Sequence, residues 1–461
     1  LKNYFLVLIA QAITLLIGII KIIFIPYILG VDSFGYWQMY LLYVGYLGVL
    51  SLGFNDGIII KYGSFTMENL PKGRLKGSLL LFLAMQLFFT IFLLIMTTFE
   101  SNDIKQTVFL FVIGNILLTG ITGITIGLLQ VTNNFKKYSL VLTIDKVISI
   151  IIYGCLFYFN IANFTTIIIV DIVSKVISCI FSIYFCKEVF FGGKAELKCG
   201  RIEFKDNIQI GIKIMLSNLM GMLMIGYALF LIERALDIKQ FSIIAFGIST
   251  TNIIILFASS LGVLIYPFIS RRNFNENQKL HIVIKEGITI ILFVLLIGFF
   301  PIKYIIENFL SDYSQVLTIL PILFIYVIYE SKINIIINPY FKSLRFESLI
   351  FKFNIIFLIP SLLLTTFILS VSSSVLFLFI SICINIIIKY ILMEKVIFKT
   401  FGNKQDYSMI IDFVIIFGFL IFSNQEDSLF AMLGYILLLI SFIFIKKRKI
   451  IDFYRYVVSK S

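Results

Sequence analysis

The chain has 461 residues, 60% of them apolar and only 14% charged, with a mean hydropathy of +1.04. That is too little polar surface to clothe a water-facing protein, so most of the chain belongs in lipid. A spanning helix takes about 20 apolar residues, so fourteen would use roughly 280, close to the apolar fraction present and leaving no room for a separate soluble domain. A single histidine, His281, excludes His-based metal clusters and disfavours a histidine-dependent catalytic triad. Five cysteines without a CxxC pair read as reduced core residues, and no cofactor is expected.

Apolar runs of spanning length occur at about 4–29, 36–60, 77–99, 106–131, 138–160 and 162–186. The first is about 26 residues long and lacks a small-residue cleavage site, so it reads as a retained span. A polar, Lys-rich break follows, and then runs at about 208–235, 240–270, 281–300, 314–341, 348–370 and 373–398, with two shorter ones at 408–423 and 428–445. The runs are continuously apolar and do not alternate, which excludes a barrel. The expected fold is an all-α polytopic membrane protein of about fourteen transmembrane helices. It divides into a six-helix lobe at 1–187, a cytoplasmic linker at 188–206, a second six-helix lobe at 207–400, and a two-helix segment with a basic tail at 401–461.

The basic residues orient this array. Lys105, Arg234, Lys239 and Lys303 fall on one side and Lys21, Lys146, Lys175 and Lys332 inside spans, which leaves the other 30 of 38 on the side of the N-terminus. Lys285 and Lys389 are counted in that group. Both termini are therefore expected in the cytoplasm. The net charge of +13 is explained by topology and anionic headgroups, with no nucleic-acid partner. Lys446 to Lys449, after the last span, read as an anchor against anionic lipid. The first span of each half ends in a short outer turn, Leu29 to Phe34 and Leu236 to Phe241, each with Leu and Phe five apart, and two six-span halves starting from the same side are what a parallel repeat requires.

The opening of the chain carries a resemblance. Pro26-Tyr27-Ile28-Leu29-Gly30-Val31-Asp32-Ser33-Phe34-Gly35-Tyr36-Trp37, followed by Gly53-Phe54-Asn55-Asp56-Gly57, resembles the bacterial oligosaccharide flippases, the Wzx-type polysaccharide transporters with a MATE-like fold in the MOP superfamily. It is strongest over roughly 1–65; beyond that, agreement is in span number and spacing. The resemblance implies a two-lobed, alternating-access transporter in the bacterial cytoplasmic membrane. Its implied cargo is an undecaprenyl-diphosphate-linked oligosaccharide for capsule, exopolysaccharide or O-antigen, with a coupling proton or sodium ion and other polysaccharide-assembly membrane proteins as partners. The lipid II flippases, by resemblance, place arginines in the first, second and eighth spans, where this chain has only Lys21 comparable; the drug exporters have twelve spans.

An ionisable group on a span costs about 2.5–3.5 kcal/mol on insertion scales, so each must face water, a partner or substrate. Gln11, Thr14, Gly18 and Lys21 form one polar stripe, and Lys21 sits too deep to snorkel. A lysine there could hold a phosphate, or pair with Asp56 or another carboxylate. Asn55 and Asp56 could close a gate, bind a coupling cation or cap a loop. Asp171 and Lys175, four apart, can neutralise each other, and Asp171 is also a gate or coupling candidate. Asp145 and Lys146 point about 100° apart, so partners elsewhere are expected and Lys146 is a cavity candidate, as Lys175 is. Tyr326, Glu330, Asn334 and Asn338 repeat every four residues, with Lys332 on another face; Glu330, Asn334 and Lys332 are cavity candidates, on a helix that Pro321 and Pro339 could bend. Glu233 and Arg234 read as an interfacial pair, and His281 as surface. Trp37 with Tyr36, Tyr40, Tyr153, Tyr158 and Tyr266 fits an interfacial belt as readily as a sugar-stacking site.

The function these expectations compose is a flippase, not an enzyme. The alternatives are a lipid II-type flippase, a cation-coupled drug exporter, and a membrane polysaccharide polymerase. The last needs an outer catalytic loop, and the longest outer connection, Pro301 to Tyr313, is thin for one.

Overall fold

The computed structural model describes residues 2–63, 65–159, 161–270, 274–372, 374–402 and 408–446. Every regular element among them is helical. Twelve helices are long and apolar enough to cross a membrane, and a shorter apolar helix covers Ile411–Ser423. The chain forms two compact units, Leu1–Ser242 and Ile243–Ser461.

In the first unit, α1 (Lys2–Tyr46) covers the first expected span and the start of the second, and it is broken at Gly30 (φ 68, ψ 173). Only a residue without Cβ takes that conformation without strain. The run expected at 36–60 is broken again where Leu52 and Gly53 both have positive φ, and α2 (Phe54–Lys61) begins there. There follow α3 (Lys72–Thr97), α4 (Asp103–Val131), α5 (Phe135–Tyr158) and α6 (Phe164–Phe185). The stretch expected as a linker contains the short α7 (Lys187–Phe190) and the first turns of α8 (Leu197–Ala235).

At 39 residues, α8 is about 58 Å long, nearly twice the ~30 Å hydrocarbon core. It packs along α2 and α3 over a seam of glycines. A Cβ on Gly211 would lie 1.9 Å from the Gly53 carbonyl oxygen, so the two backbones touch with no room for a side chain. At its other end the two similar turns meet: a Cβ on Gly35 would lie 2.8 Å from the Ile238 oxygen, and the Ser242 hydroxyl donates to the Val31 carbonyl at 2.6 Å.

The second unit contains most of α9 (Ile238–Ser270), then α10 (Phe274–Leu295), α11 (Phe299–Phe309), α12 (Leu320–Lys332), α13 (Asn338–Ser343), α14 (Glu347–Val371), α15 (Val375–Phe401), α16 (Ser408–Ser423) and α17 (Ser428–Ile445). Within the continuous stretch Leu320–Ser343 an 18-residue apolar window is 83% buried, against 44% in Val375–Phe401 and 28% in Ser348–Val371, which makes it the central helix of its unit. It passes through a π-helical turn at Ile333–Ile337. Pro339 has no N–H for the carbonyl four residues earlier, and widening the preceding turn accommodates that loss. The terminal pair α16 and α17 packs against α10, α11 and α12, with Phe299, Phe324, Phe419 and Tyr435 meeting edge to face or tilted.

Several expected positions change. The connection at Pro301 to Tyr313 is not a loop: most of it is α11, and Lys303 there is buried and donates to the Ser423 and Gln425 carbonyls. Lys285 and Lys389 lie inside α10 and α15, buried, so they are not loop charges.

Replacing Gly211 with valine should destabilise the protein by about 1–3 kcal/mol or more through overpacking, read as a lower Tm of the detergent-solubilised chain. Gly221→Ala, on the same helix with nothing within 4 Å of the added methyl, should leave Tm unchanged or slightly raised.

Candidate functional site

The helices of the first unit bring together a cluster of five intramembrane charges. Lys21 comes from the first half of α1, Asp145 and Lys146 from α5, and Asp171 and Lys175 from α6. Lys175 pairs with Asp171 at 2.6 Å along one helix face, as expected. Asp171 also accepts from the Tyr40 hydroxyl at 2.7 Å, and Tyr40 in turn accepts from the Asn115 amide at 3.0 Å. Lys146, expected to find a partner elsewhere, pairs instead with its neighbour Asp145 at 2.6 Å, because its long side chain spans the angular gap.

Lys21 differs. Its ammonium donates to the Ser149 hydroxyl at 2.7 Å and stands 5.1 Å from the centroid of the Tyr153 ring. Among the described residues no carboxylate lies within ion-pair distance of it, Asp56 included. All four other charges act on it electrostatically. Three cations against two carboxylates leave the cluster with one net positive charge, and Lys21 is the group whose partners are neutral. Low-dielectric surroundings make such an excess costly until an anion arrives.

The rest of the stripe is less engaged. Gln11 is half-buried, and the Thr14 hydroxyl is satisfied by the Ala10 carbonyl of its own helix at 2.9 Å. Tyr40 and Tyr153 are fully buried and Trp37 stacks on Tyr40 at 5.4 Å, so these three are interior groups and not an interfacial belt. Tyr158 is exposed, Tyr36 packs against Phe164, and the Tyr266 side chain lies outside the described residues. Glu233 does not pair with Arg234: it holds Lys105 at 2.5 Å and accepts from Tyr43 at 3.2 Å.

Of the expected gate residues, Asn55 is turned against Gly123 of α4, and Asp56 is half-buried without a hydrogen bond or ion pair among the described residues. The strong contact lies one to two turns further on. Lys61 bridges Glu203 at 3.0 Å and Asp206 at 3.3 Å, and the Tyr62 hydroxyl donates to Glu203 at 2.6 Å, clipping α2 to α8. Burial, with the adjacent Glu203 carboxylate, pushes the Tyr62 phenol well above its ordinary range. A cavity of about 530 Å³ opens beside this clip, with Arg74 and Cys199 on its wall. Lys61 lies just past the run at 36–60, and Glu203 and Asp206 fall within the expected linker at 188–206; only the fold reveals that they face one another.

In the second unit Lys332, expected to line a cavity, is sealed: it is 0% exposed, donates to Asp412 at 3.0 Å, and lies within 5.5 Å of the ring centres of Phe293, Tyr329 and Tyr390. Asp412 also accepts from Lys446 at 3.1 Å, and Lys446 pairs with Glu286 at 2.6 Å. Lys446 is therefore a buried link and not a lipid anchor; Lys447 to Lys449 lie outside the described residues. Lys285 pairs with Glu394 at 2.7 Å, both buried. His281 is also buried, packed edge-on against Tyr340 and Phe398, so it is not a surface residue. Glu330, Asn334 and Asn338 do share one face: Asn334 donates to Glu330 at 3.4 Å and Asn338 to Asn334 at 3.1 Å.

Residues 1–227 match the family model Polysacc_synt, described as polysaccharide biosynthesis protein. The fold resembles the lipid II flippase MurJ in its inward closed conformation (TM-score 0.66, 15% identity, covering 98% of this chain and 99% of that one). It also resembles an inward-facing multidrug resistance MATE family transporter of the MOP superfamily (0.57, 10%, 85% and 99%). A third likeness is to a MOP superfamily transporter from Pyrococcus furiosus (0.54, 12%, 87% and 95%). No curated protein matches. These neighbours are flippases and transporters, not enzymes.

Asp412→Asn should destabilise the protein by about 3–5 kcal/mol, because it leaves Lys332 and Lys446 buried without their carboxylate. Lys21→Ala, which breaks no ion pair, should leave Tm within a few degrees of wild type; thermal melts of the two variants in one detergent check both.

Proposed function

We propose that this protein, whose residues 1–227 match a polysaccharide biosynthesis family model and whose fold resembles a lipid II flippase, is a Wzx-type, MATE-like flippase that carries an undecaprenyl-diphosphate-linked oligosaccharide from the cytoplasmic to the outer leaflet. It does so by alternating access, for surface polysaccharide assembly in a bacterial cytoplasmic membrane. The observation that carries this reading is the single uncompensated positive charge of the five-charge cluster, resident on Lys21.

The partners of Lys21 suit it to the task. A phosphate oxygen can replace the Ser149 hydroxyl with little loss, since one hydrogen bond is exchanged for a charge-assisted one. Lys146 and Lys175 would each have to leave a carboxylate at 2.6 Å, so their part is to keep Asp145 and Asp171 occupied. A point-like ammonium grips the diphosphate without reading the sugars, which suits cargo whose glycan varies. No bond is made or broken.

The remaining assignments belong to the same proposal. The lobes follow the repeat, 1–187 and 207–400 with the terminal pair beyond, and the spans number fourteen when the break at Gly30 and the short helix at Ile411–Ser423 are each counted. Both termini face the cytoplasm, as the Lys and Arg distribution supports. The Lys61–Glu203 clip acts as a cytoplasmic latch, and Asp56 and Glu330, carboxylates without an ion pair among the described residues, are the sites through which a proton or sodium ion couples. The net positive cluster argues against efflux of organic cations, which calls for excess carboxylate.

In a bacterium whose surface polysaccharide export depends on this gene, Lys21→Ala should cut surface glycan at least about tenfold, the loss of one charge-assisted contact, at unchanged membrane abundance. Lys21→Arg should retain part of the activity. Wild-type surface glycan in the Lys21→Ala strain would remove the residue from the mechanism.

A further inference from the structure

The second unit holds a lysine in the same condition as Lys21. Lys389 sits midway along α15 and is 3% exposed, yet among the described residues no carboxylate lies within 4 Å of it and no acceptor receives its ammonium. The neighbouring buried lysines are all satisfied: Lys285 by Glu394, Lys332 by Asp412, Lys446 by Glu286 and Asp412, and Lys303 by two backbone carbonyls. Glu330 acts on Lys389 electrostatically from the packed face of α12, but the bond it accepts comes from Asn334. One turn before Lys389, Asn385 is 8% exposed and its side-chain oxygen is also without a partner. The facing helix widens into its π turn at Ile333–Ile337, between Glu330 and Asn338.

A buried lysine with three unused donors is held at a cost unless an anion completes it. The sealed Lys332 cannot serve an incoming ligand without abandoning Asp412, whereas Lys389 gives up nothing. We propose that Lys389, in place of Lys332, is the residue with which the second unit, taken by itself, binds a lipid-linked diphosphate, with Asn385 as its neutral neighbour and Glu330 as the competing carboxylate. This rests on the substrate class given above. When the anion is bound, Lys389 donates to it; when the anion leaves, the lysine relaxes towards Glu330, so the grip is reversible. A carboxylate near but not touching the cation serves that exchange better than a formed ion pair would.

The test uses the full-length purified chain in nanodiscs, with farnesyl diphosphate as probe and farnesol and inorganic pyrophosphate as controls. Lys389→Met keeps the length of the side chain and removes its charge; it should weaken farnesyl diphosphate binding by about tenfold or more and leave farnesol binding unchanged. Lys389→Arg should recover most of the affinity. Glu330→Gln removes the competitor and should tighten farnesyl diphosphate binding several-fold, an arm that holds even if Lys389→Met does not fold. Wild-type affinity in folded Lys389→Met, or no gain in Glu330→Gln, overturns the assignment. Pyrophosphate bound as tightly as farnesyl diphosphate, with the same dependence on Lys389, overturns the lipid-linked part of it. If Lys21→Ala loses binding while Lys389→Met does not, only this assignment falls; if the wild-type chain binds no farnesyl diphosphate, the proposed substrate class falls with it.

Discussion

A lysine carried into hydrocarbon must be met by negative charge, and the way each one is met divides this molecule into what holds it together and what it can offer to a ligand. At about 2.5–3.5 kcal/mol per unpaired cation on insertion scales, a few unanswered charges would rival the total stability of a typical domain, roughly 5–15 kcal/mol. Most are answered. Lys146, Lys175, Lys285, Lys332 and Lys446 each have a carboxylate within 3.1 Å, and the chain Glu286–Lys446–Asp412–Lys332 ties the terminal helix pair into the second unit. Such a chain is weak evidence of added stability, because desolvation offsets much of the attraction, but breaking it is expensive. It fixes which helices lie together.

The exceptions take their meaning from that background. Lys21 has a hydroxyl and a ring where its neighbours have carboxylates, and its cluster retains one net charge. An excess of one is a modest quantity. It is enough to favour an anion strongly where the dielectric is low, and too little to trap it permanently. A carrier that must release its cargo works best between those limits, since binding energy that is not recovered at release slows turnover.

Much of this architecture was legible in the sequence, for reasons that also explain what was not. Spans follow from apolar run length, and the Lys21 stripe and the Asp171–Lys175 pair follow from helical periodicity, because both are local. The break at Gly30 lies within the motif that carries the family resemblance. Helical periodicity puts Lys332 among the cavity candidates but cannot report its partner, Asp412, which is 80 residues away. Lys285 and Lys389 read as loop charges by residue type although both fall inside apolar runs, Lys285 near the start of its run and Lys389 well within its own, because hydropathy cannot tell a charge at a helix end from one that packing buries. Residue type points His281, Tyr40 and Tyr153 to surfaces, and packing puts them inside. The Lys61–Glu203 clip depends on glycines at Gly53, Gly57 and Gly211 that let two backbones touch, a tertiary fact carried by residues with no side chain to read.

The claim on which all of this turns is that the charge on Lys21 is kept for a diphosphate. Native mass spectrometry of the intact protein titrated with undecaprenyl diphosphate and, separately, undecaprenol tests it most directly. A saturable diphosphate adduct on the wild-type chain that disappears in Lys21→Ala, with undecaprenol bound equally by both, is the expected result. Equal diphosphate occupancy of the two proteins would contradict the account.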